Sequence, residues 1–389
     1  MNRNTDFLPF ARPSMGLEEE EAVLRIMRSG WLTTGSEALA FEKEFAGYVG
    51  VPFALAVNSA TSGLHLALEA AGIGKGDVVI TSPYTFTSTA AVVRHLGAEV
   101  AFCDTAPGSY NLDPEQLQQL LAGTRNCRAI IPVHVGGLLC DMDAIMDLGK
   151  RHGCTVVEDA AHAFPVRTVH GYAGTLGELG VYSFYATKTI TTGEGGMVVT
   201  ASEKLARRMS LMRMHGIDRA VWDRYTAKKA AWRYEVSEAG FKYNLPDILA
   251  AIGRVQLRRA EVFLEQRKKT AAKYNKAFRE TPGLGLPPES PNHAWHLYSL
   301  RVDPAFTGID RDTLLETLAD KGIGASMHFI PLHLMPYYAG RYSLAPGAFP
   351  NALSMYETTL SLPIWQGMTE YDAQRVVDAV QEAVGTGRR

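Results

Sequence analysis

Lys188 follows the apolar run Gly180–Phe184 in Ser183-Phe184-Tyr185-Ala186-Thr187-Lys188 and precedes Thr191-Thr192-Gly193-Glu194-Gly195-Gly196. A lysine between an apolar strand and a glycine-rich turn is held at a strand end, where a desolvated amine serves as nucleophile or base. Read alone, it is equally an ordinary surface lysine. Glu158-Asp159-Ala160-Ala161-His162 closes another β-branched run. Two acids there are costly unless something cationic meets them, and a protonated pyridine nitrogen would be such a partner. Asn58-Ser59-Ala60-Thr61-Ser62-Gly63 places small hydroxyl residues ahead of the helix-like Leu64–Ala71, leaving backbone N–H groups free for a phosphate. A plain N-cap explains that segment as well. Pro83-Tyr84-Thr85-Phe86-Thr87-Ser88 offers an aromatic able to lie flat on a heteroaromatic ring, with core packing as the plainer alternative.

Each segment directly follows a run that reads as a strand. Seven such runs precede residue 215: Phe53–Val57, Val78–Thr81, Val100–Cys103, Ala129–Val133, Thr155–Glu158, Gly180–Phe184 and Met197–Thr200. Helix-like stretches fill most gaps; Asp113-Pro114-Glu115 supplies an N-cap, a first-turn proline and an early acid. The alternation predicts an α/β protein, a seven-stranded, mostly parallel sheet between helices, and ligands gather beyond the carboxyl ends of such strands. Glu18–Arg28 reads as a helix with acids in its first turn and Gly30 behind it. Asp247 to about Phe278 reads as one helix with Arg267, Lys268 and Lys269 on a solvated face, and Pro282–Pro291 as a loop. A large domain over residues 1–250 and a smaller C-terminal α+β domain over 251–389 are expected.

With 46% hydrophobic and 21% charged residues and a net charge of -2, the chain offers no electrostatic footprint for nucleic acid or an acidic membrane. No apolar run is long enough for a bilayer, and Met1–Pro13 lacks the apolar centre of a signal peptide. Cys103, Cys127, Cys140 and Cys154 form no CxxC pair and read as reduced core residues of a cytoplasmic protein. No metal site is expected: His293 and His296 have a tempting spacing but no third ligand cluster. The basic stretch Arg224–Arg233 reads as a solvated loop or, alternatively, as a contact for a nucleotide diphosphate.

Weak singly, these segments fall in order on one sheet edge and supply the parts that one cofactor needs. Over essentially its full length the chain resembles the DegT/DnrJ/StrS family of sugar aminotransferases, pyridoxal-phosphate enzymes of fold type I. Besides the segments above, the resemblance rests on Ser29-Gly30-Trp31-Leu32-Thr33-Thr34-Gly35, Pro132-Val133-His134, Gly240-Phe241-Lys242-Tyr243-Asn244-Leu245 through Gln256-Leu257, and His293-Ala294-Trp295-His296. Within the family it is most similar to UDP-4-amino-4-deoxy-L-arabinose synthase and other UDP-4-keto-hexose aminotransferases.

The resemblance implies pyridoxal 5'-phosphate as cofactor, pyridoxamine 5'-phosphate as its intermediate form, and Lys188 in a Schiff base with it. Asp159 would pair with the pyridine nitrogen, His162 lie by the ring hydroxyl, and Phe86 stack on the ring. Ala60, Thr61 and Ser183 would hold the phosphate, with Asn244 or Lys242 reaching it from the other subunit of a homodimer. Trp31, Thr33, Thr34, His328 and His333 match stretches that border the sugar. The implied reaction moves an amino group from glutamate to a nucleotide-linked 4-keto sugar for lipid A, surface polysaccharide or glycan biosynthesis. A dehydratase branch has histidine where Lys188 stands, so lysine argues for amino transfer. Two rivals are another pyridoxal-phosphate reaction on this fold, such as a cysteine desulfurase, lyase or aldolase, and a regulator that binds cofactor without turnover.

Overall fold

The computed structural model describes residues 7–217 and 234–386; the basic stretch Arg224–Arg233 lies outside the described residues. The seven expected strands form one sheet: β1 Phe53–Val57, β2 Val78–Thr81, β3 Glu99–Phe102, β4 Cys127–Ile131, β5 Thr155–Asp159, β6 Leu179–Ser183 and β7 Gly196–Thr200. Their order across the sheet is β1-β7-β6-β5-β4-β2-β3. The neighbours from β6 across to β3 are parallel. β7 is antiparallel to both β1 and β6, with Gly196 opposite Val57 and Ser183. It therefore begins at the edge where the other strands end, so the glycine-rich turn before it joins the same edge.

Helices α1 Leu17–Ser29, α2 Ser36–Val49, α3 Ala60–Ala70, α4 Ser88–His95, α5 Pro114–Gly123, α6 Met142–His152 and α7 Glu203–Met212 surround the sheet. Local signals set their ends: Asp113 Oδ1 accepts from Glu115 N at 2.9 Å ahead of Pro114, and Gly153 closes α6 at φ 65°. Strand alternation divides the core. Val57, Val79, Val157, Val181 and Val198 meet α3, α4 and α7. Ala56, Tyr182 and Val199 meet Phe41 and Phe45 of α2, while Ile80, Ile130 and Val156 meet α5 and α6. Phe41 and Phe45 are fully buried, each stabilising the fold by roughly 1.5–3 kcal/mol.

Two expectations beyond residue 245 are corrected. The single helix is two, α8 Asp247–Arg258 and α9 Ala260–Phe278, broken at Arg259 (φ -98°, ψ -1°). No Gly or Pro marks the break. At the break Arg259 pairs with Glu19 of α1 at 2.7 Å, and its guanidinium lies over the Phe263 ring of the next turn. Arg267 is not on a solvated face but 1% exposed, donating to the carbonyls of Trp295, His296 and Ile364. Periodicity placed it beside Lys268 and Lys269, yet α9 carries the small C-terminal sheet against that side. This sheet pairs β8 Leu284–Gly285, β9 Tyr298–Val302 and β10 Thr359–Leu362 in antiparallel order. It packs with α9, α10 Arg311–Asp320 and α11 Glu370–Thr386 through Tyr274, Leu314 and Val380. Leu8 joins that core and forms an isolated bridge with Ile323. Among the described residues no helix is long and apolar enough to cross a membrane.

Candidate active site

At the carboxyl edge of the sheet lies a cavity of about 520 Å³ whose walls include Lys188, Asp159, His162, Phe86, Ser183 and His328. Lys188 sits in the tight turn after β6. Its N–H donates to Tyr185 O at 2.9 Å, Thr192 N to Phe184 O at 2.9 Å, and Phe184 N to Gly195 O at 2.9 Å. These bonds aim the amine into the cavity instead of outward. Burial pushes that amine down to about 7, with Asp159 pulling it up and Arg267 pushing it further down.

Glu158 and Asp159 share the end of β5 and point to opposite faces. Glu158 is satisfied without any ligand: it accepts from Gly174 N (2.7 Å), Leu176 N (2.6 Å), Gly177 N (2.6 Å) and His134 Nε2 (2.9 Å). Cys140 N points at His134 Nδ1 from 3.2 Å, so the imidazole hydrogen is on Nε2 and faces Glu158. Asp159 has fewer partners, Thr89 Oγ1 at 2.9 Å and Ala161 N at 3.2 Å, and its carboxylate lines the cavity. Burial raises its pKa, only partly offset by those two bonds and by Lys188. An incompletely partnered buried carboxylate is what a protonated ring nitrogen would complete.

Across the cavity, α3 begins at Ala60, earlier than expected, because Ser59 Oγ accepts from Ser62 N at 3.1 Å and Ser62 Oγ donates to Asn58 Oδ1 at 2.6 Å. Ala60 and Thr61 thus occupy the first turn, where N–H groups have no intrahelical acceptor and the helix dipole favours an anion. Gly196 makes this approach possible: a Cβ there would stand 2.8 Å from Ala60 N. Ser183 and Thr61 line the cavity as well.

Aromatic rings close the remaining sides. Phe86 is 58% exposed on the cavity wall, a free face for a flat ring. Phe329 lies parallel to His162 at 5.7 Å, and Phe10, from the N-terminal segment, stacks on His328 at 5.1 Å. Gly136 N donates to His162 Nδ1 at 3.2 Å, which leaves the ring hydrogen on Nε2. Burial, aided by Lys188, holds His162 well below the usual histidine value and His328 at about 4, so both are neutral. His296, Thr89, Phe10 and Phe329 were missed as site residues in the sequence. His296 Nε2 lies 3.4 Å from Lys188 Nζ. Its spacing from His293 was weighed for a metal and set aside, whereas nothing local signalled the lysine 108 positions away.

The other expected residues lie away from this cavity within the chain. Trp31 Nε1 donates to Thr34 O at 3.3 Å, Thr34 Oγ1 to Leu245 O at 2.7 Å, and Asn244 Nδ2 to Thr34 Oγ1 at 2.6 Å. Asp247 N donates to Thr33 O at 3.3 Å, and the Asp247 carboxylate caps α2 through Gly35 N and Ala38 N. Lys242 is exposed, and its carbonyl accepts from Asn58 Nδ2 at 3.3 Å, just ahead of α3. His333 is buried against Phe349, with Nε2 on Pro346 O at 3.0 Å.

A flat-ring wall, a buried anion, an amine and a helix start suited to phosphate fit a pyridoxal-phosphate enzyme. Residues 13–381 match the DegT/DnrJ/EryC1/StrS aminotransferase family, and the chain belongs to it. It is 43% identical over 387 residues to the spore coat polysaccharide biosynthesis protein SpsC of Bacillus subtilis (strain 168), covering 99% of both chains. The putative sugar aminotransferase Spr1654 of Streptococcus pneumoniae, in its PMP form, superposes with a TM-score of 0.90 at 26% identity, over 98% of this chain and 100% of that one. PseC of Helicobacter pylori, an aminotransferase involved in the biosynthesis of pseudoaminic acid, gives 0.89 at 28% identity, over 98% and 100%. The chain is a pyridoxal-phosphate-dependent sugar aminotransferase.

Proposed function

We propose that the chain transfers an amino group from L-glutamate to a UDP-linked 4-keto sugar for surface polysaccharide, lipid A or glycan biosynthesis, as a cytoplasmic homodimer. The observation that carries the reading is the convergence of Lys188 and Asp159 on one cavity opposite the start of α3. Bound pyridoxal phosphate supplies an electron sink for a carbanion. Lys188 Nζ would hold the cofactor and, once freed by the donor amine, would take the proton from the donor's α-carbon and later return one to the sugar's carbon. An amine pushed down to about 7 is suited to both duties at neutral pH. Asp159 would keep a proton on the ring nitrogen, His162 would lie by the ring hydroxyl, and Phe86 would support the ring. Ala60 N and Thr61 N, with the Ser183 hydroxyl, take the phosphate.

Asn244 belongs to a cluster with Trp31, Thr33 and Thr34, and the Lys242 carbonyl accepts from Asn58 Nδ2 at 3.3 Å; none of these five residues lines this chain's cavity. A second subunit that presents this cluster to the first one's cavity would make all of these assignments compatible. Exposed Leu17, Leu24, Met27, Leu32 and Leu39 on and around α1 and α2 give such a contact an apolar surface.

The test is a panel of nucleotide-linked 4-keto sugars offered with glutamate and cofactor, the aminated product being identified by mass. A UDP-linked acceptor is expected to be aminated. Lys188→Ala should lose activity by about four orders of magnitude while still binding cofactor. Activity on none of the sugars together with good activity on simple keto acids would overturn the substrate reading.

A further inference from the structure

Residues beyond the large sheet reach the lysine turn at its backbone and at its amine. Gln366, after β10, donates from Nε2 to Thr189 O at 3.2 Å, and Gln256 of α8 accepts from Thr191 N at 3.4 Å. These two bonds hold the main chain around Lys188. His296, just ahead of β9, meets the amine itself: Nε2 lies 3.4 Å from Lys188 Nζ. Among the described residues no other side chain hydrogen-bonds that nitrogen, and both residues line the cavity.

The His296 imidazole is expensive where it stands. It is 6% exposed, its Nδ1 is buried with no partner among the described residues, and the His162 ring lies against it at 4.3 Å. Its main chain is anchored separately, through its carbonyl on Arg267 Nη1 at 3.3 Å. An apolar ring would fill the space without leaving a nitrogen unmet. What the imidazole adds to the cavity is an acceptor. Burial, aided by Lys188 and His162, holds it well below the usual histidine value, so the ring is neutral. An ammonium only donates, so when Lys188 is protonated the ring hydrogen sits on Nδ1 and the lone pair of Nε2 faces the amine.

We propose that His296 is a positioning residue for amino transfer: its Nε2 accepts an N–H of the Lys188 amine whenever that amine is free of cofactor, and holds it in one place. A lysine amine swings on a flexible stem, and a small misplacement of a group that moves a proton costs rate. A fixed acceptor removes that freedom without using the amine's own lone pair. The other groups facing the amine are engaged elsewhere or only donate. Asp159 accepts from Thr89 Oγ1 and Ala161 N, His162 Nδ1 from Gly136 N, and His328 Nδ1 lies 3.0 Å from Ser361 Oγ. Glu194 is an exposed part of the wall, and the Arg267 guanidinium has no acceptor to give. The inference rests on the reading of Lys188 as the cofactor-bearing residue.

The experiment compares the unaltered chain with His296→Phe, which keeps a ring and removes the acceptor, and His296→Gln, whose Oε1 restores one. The first readout needs no cofactor: competitive acetylation of the cofactor-free full chain with trace acetic anhydride over a pH series, the Lys188 peptide being quantified by mass spectrometry. Loss of the acceptor penalises the ammonium. The Lys188 midpoint should therefore fall by about half a pH unit or more in His296→Phe and return toward its original value in His296→Gln. The second readout is the single-turnover reaction of the cofactor-loaded enzyme with L-glutamate, followed by cofactor absorbance. At saturating glutamate it should slow about 10- to 100-fold in His296→Phe, with the half-saturating concentration little changed, and recover in His296→Gln. A midpoint that stays or rises in His296→Phe, an equal fall in His296→Gln, or an unslowed single turnover in His296→Phe makes His296 a packing residue and overturns the inference. If His296→Phe does not accumulate as folded protein, His296→Asn, too short to reach the amine, replaces it with the same expectations. Borohydride reduction of the loaded, unaltered enzyme checks the underlying reading separately: cofactor fixed at a residue other than Lys188 overturns that reading whatever the midpoints show. An unaltered enzyme inert toward glutamate bears on the donor alone, and the midpoints then decide.

Discussion

Glu158 and Asp159 are consecutive, both buried and carried by one strand, yet one is enclosed by four donors and the other by two. The face behind the sheet completes its anion with backbone N–H groups of Gly174, Leu176 and Gly177 and the His134 ring. The face toward α4 leaves its anion open to a cavity. A carboxylate that the fold itself satisfies is part of the architecture; one that the fold leaves short of partners is reserved for something that arrives later.

Substitution of the two acids should separate these roles, and the largest effect belongs to the open one. Asp159→Asn should lower turnover by about a thousandfold, while unfolding of the cofactor-free protein is unchanged or occurs at higher denaturant, since a penalised buried charge has gone. Glu158→Gln should do the reverse. Its amide cannot accept from three N–H groups, so stability should drop by about 2–4 kcal/mol in denaturant titration, with turnover per folded molecule nearly intact. A stable but inactive Glu158→Gln would break the comparison.

A smaller, pH-dependent effect sharpens it. Lys188 has a folded value of about 7, below its unfolded one, so the folded chain binds fewer protons from there up to the ordinary lysine range. Stability of the cofactor-free protein should therefore rise with pH through that window. The slope should flatten in Lys188→Met, as read from unfolding midpoints across a pH series. An identical slope in the variant would mean that the amine is solvated in the folded chain.

The strands, their order of chemistry along one edge, and the pair Lys188 and Asp159 were legible because each depends on neighbours within a few positions: a β-branched run, then a turn, then the reactive group. What stayed hidden depends on partners far along the chain. The Arg259 break answers to Glu19, the cap of α2 comes from Asp247, and His296 meets Lys188 through packing of the C-terminal layer on the sheet edge. Helical spacing placed Arg267 with its charged neighbours, and only the docking of β9 and β10 reveals that its carbonyl partners lie inside. The cluster of Trp31, Thr34 and Asn244 was likewise named residue by residue, whereas its separation from the cavity is a property of the three-dimensional chain.

The missing methyl at position 196 has a consequence for distance. Gly196 is the first residue of the strand that leaves the lysine turn, and its Cα rests against the opening peptide of α3. The distance from the start of α3 to the Lys188 turn is thereby gauged by one strand-to-helix contact. An alanine there would press its Cβ to 2.8 Å from Ala60 N, lengthening the gauge and moving both ends out of step without changing Lys188 itself.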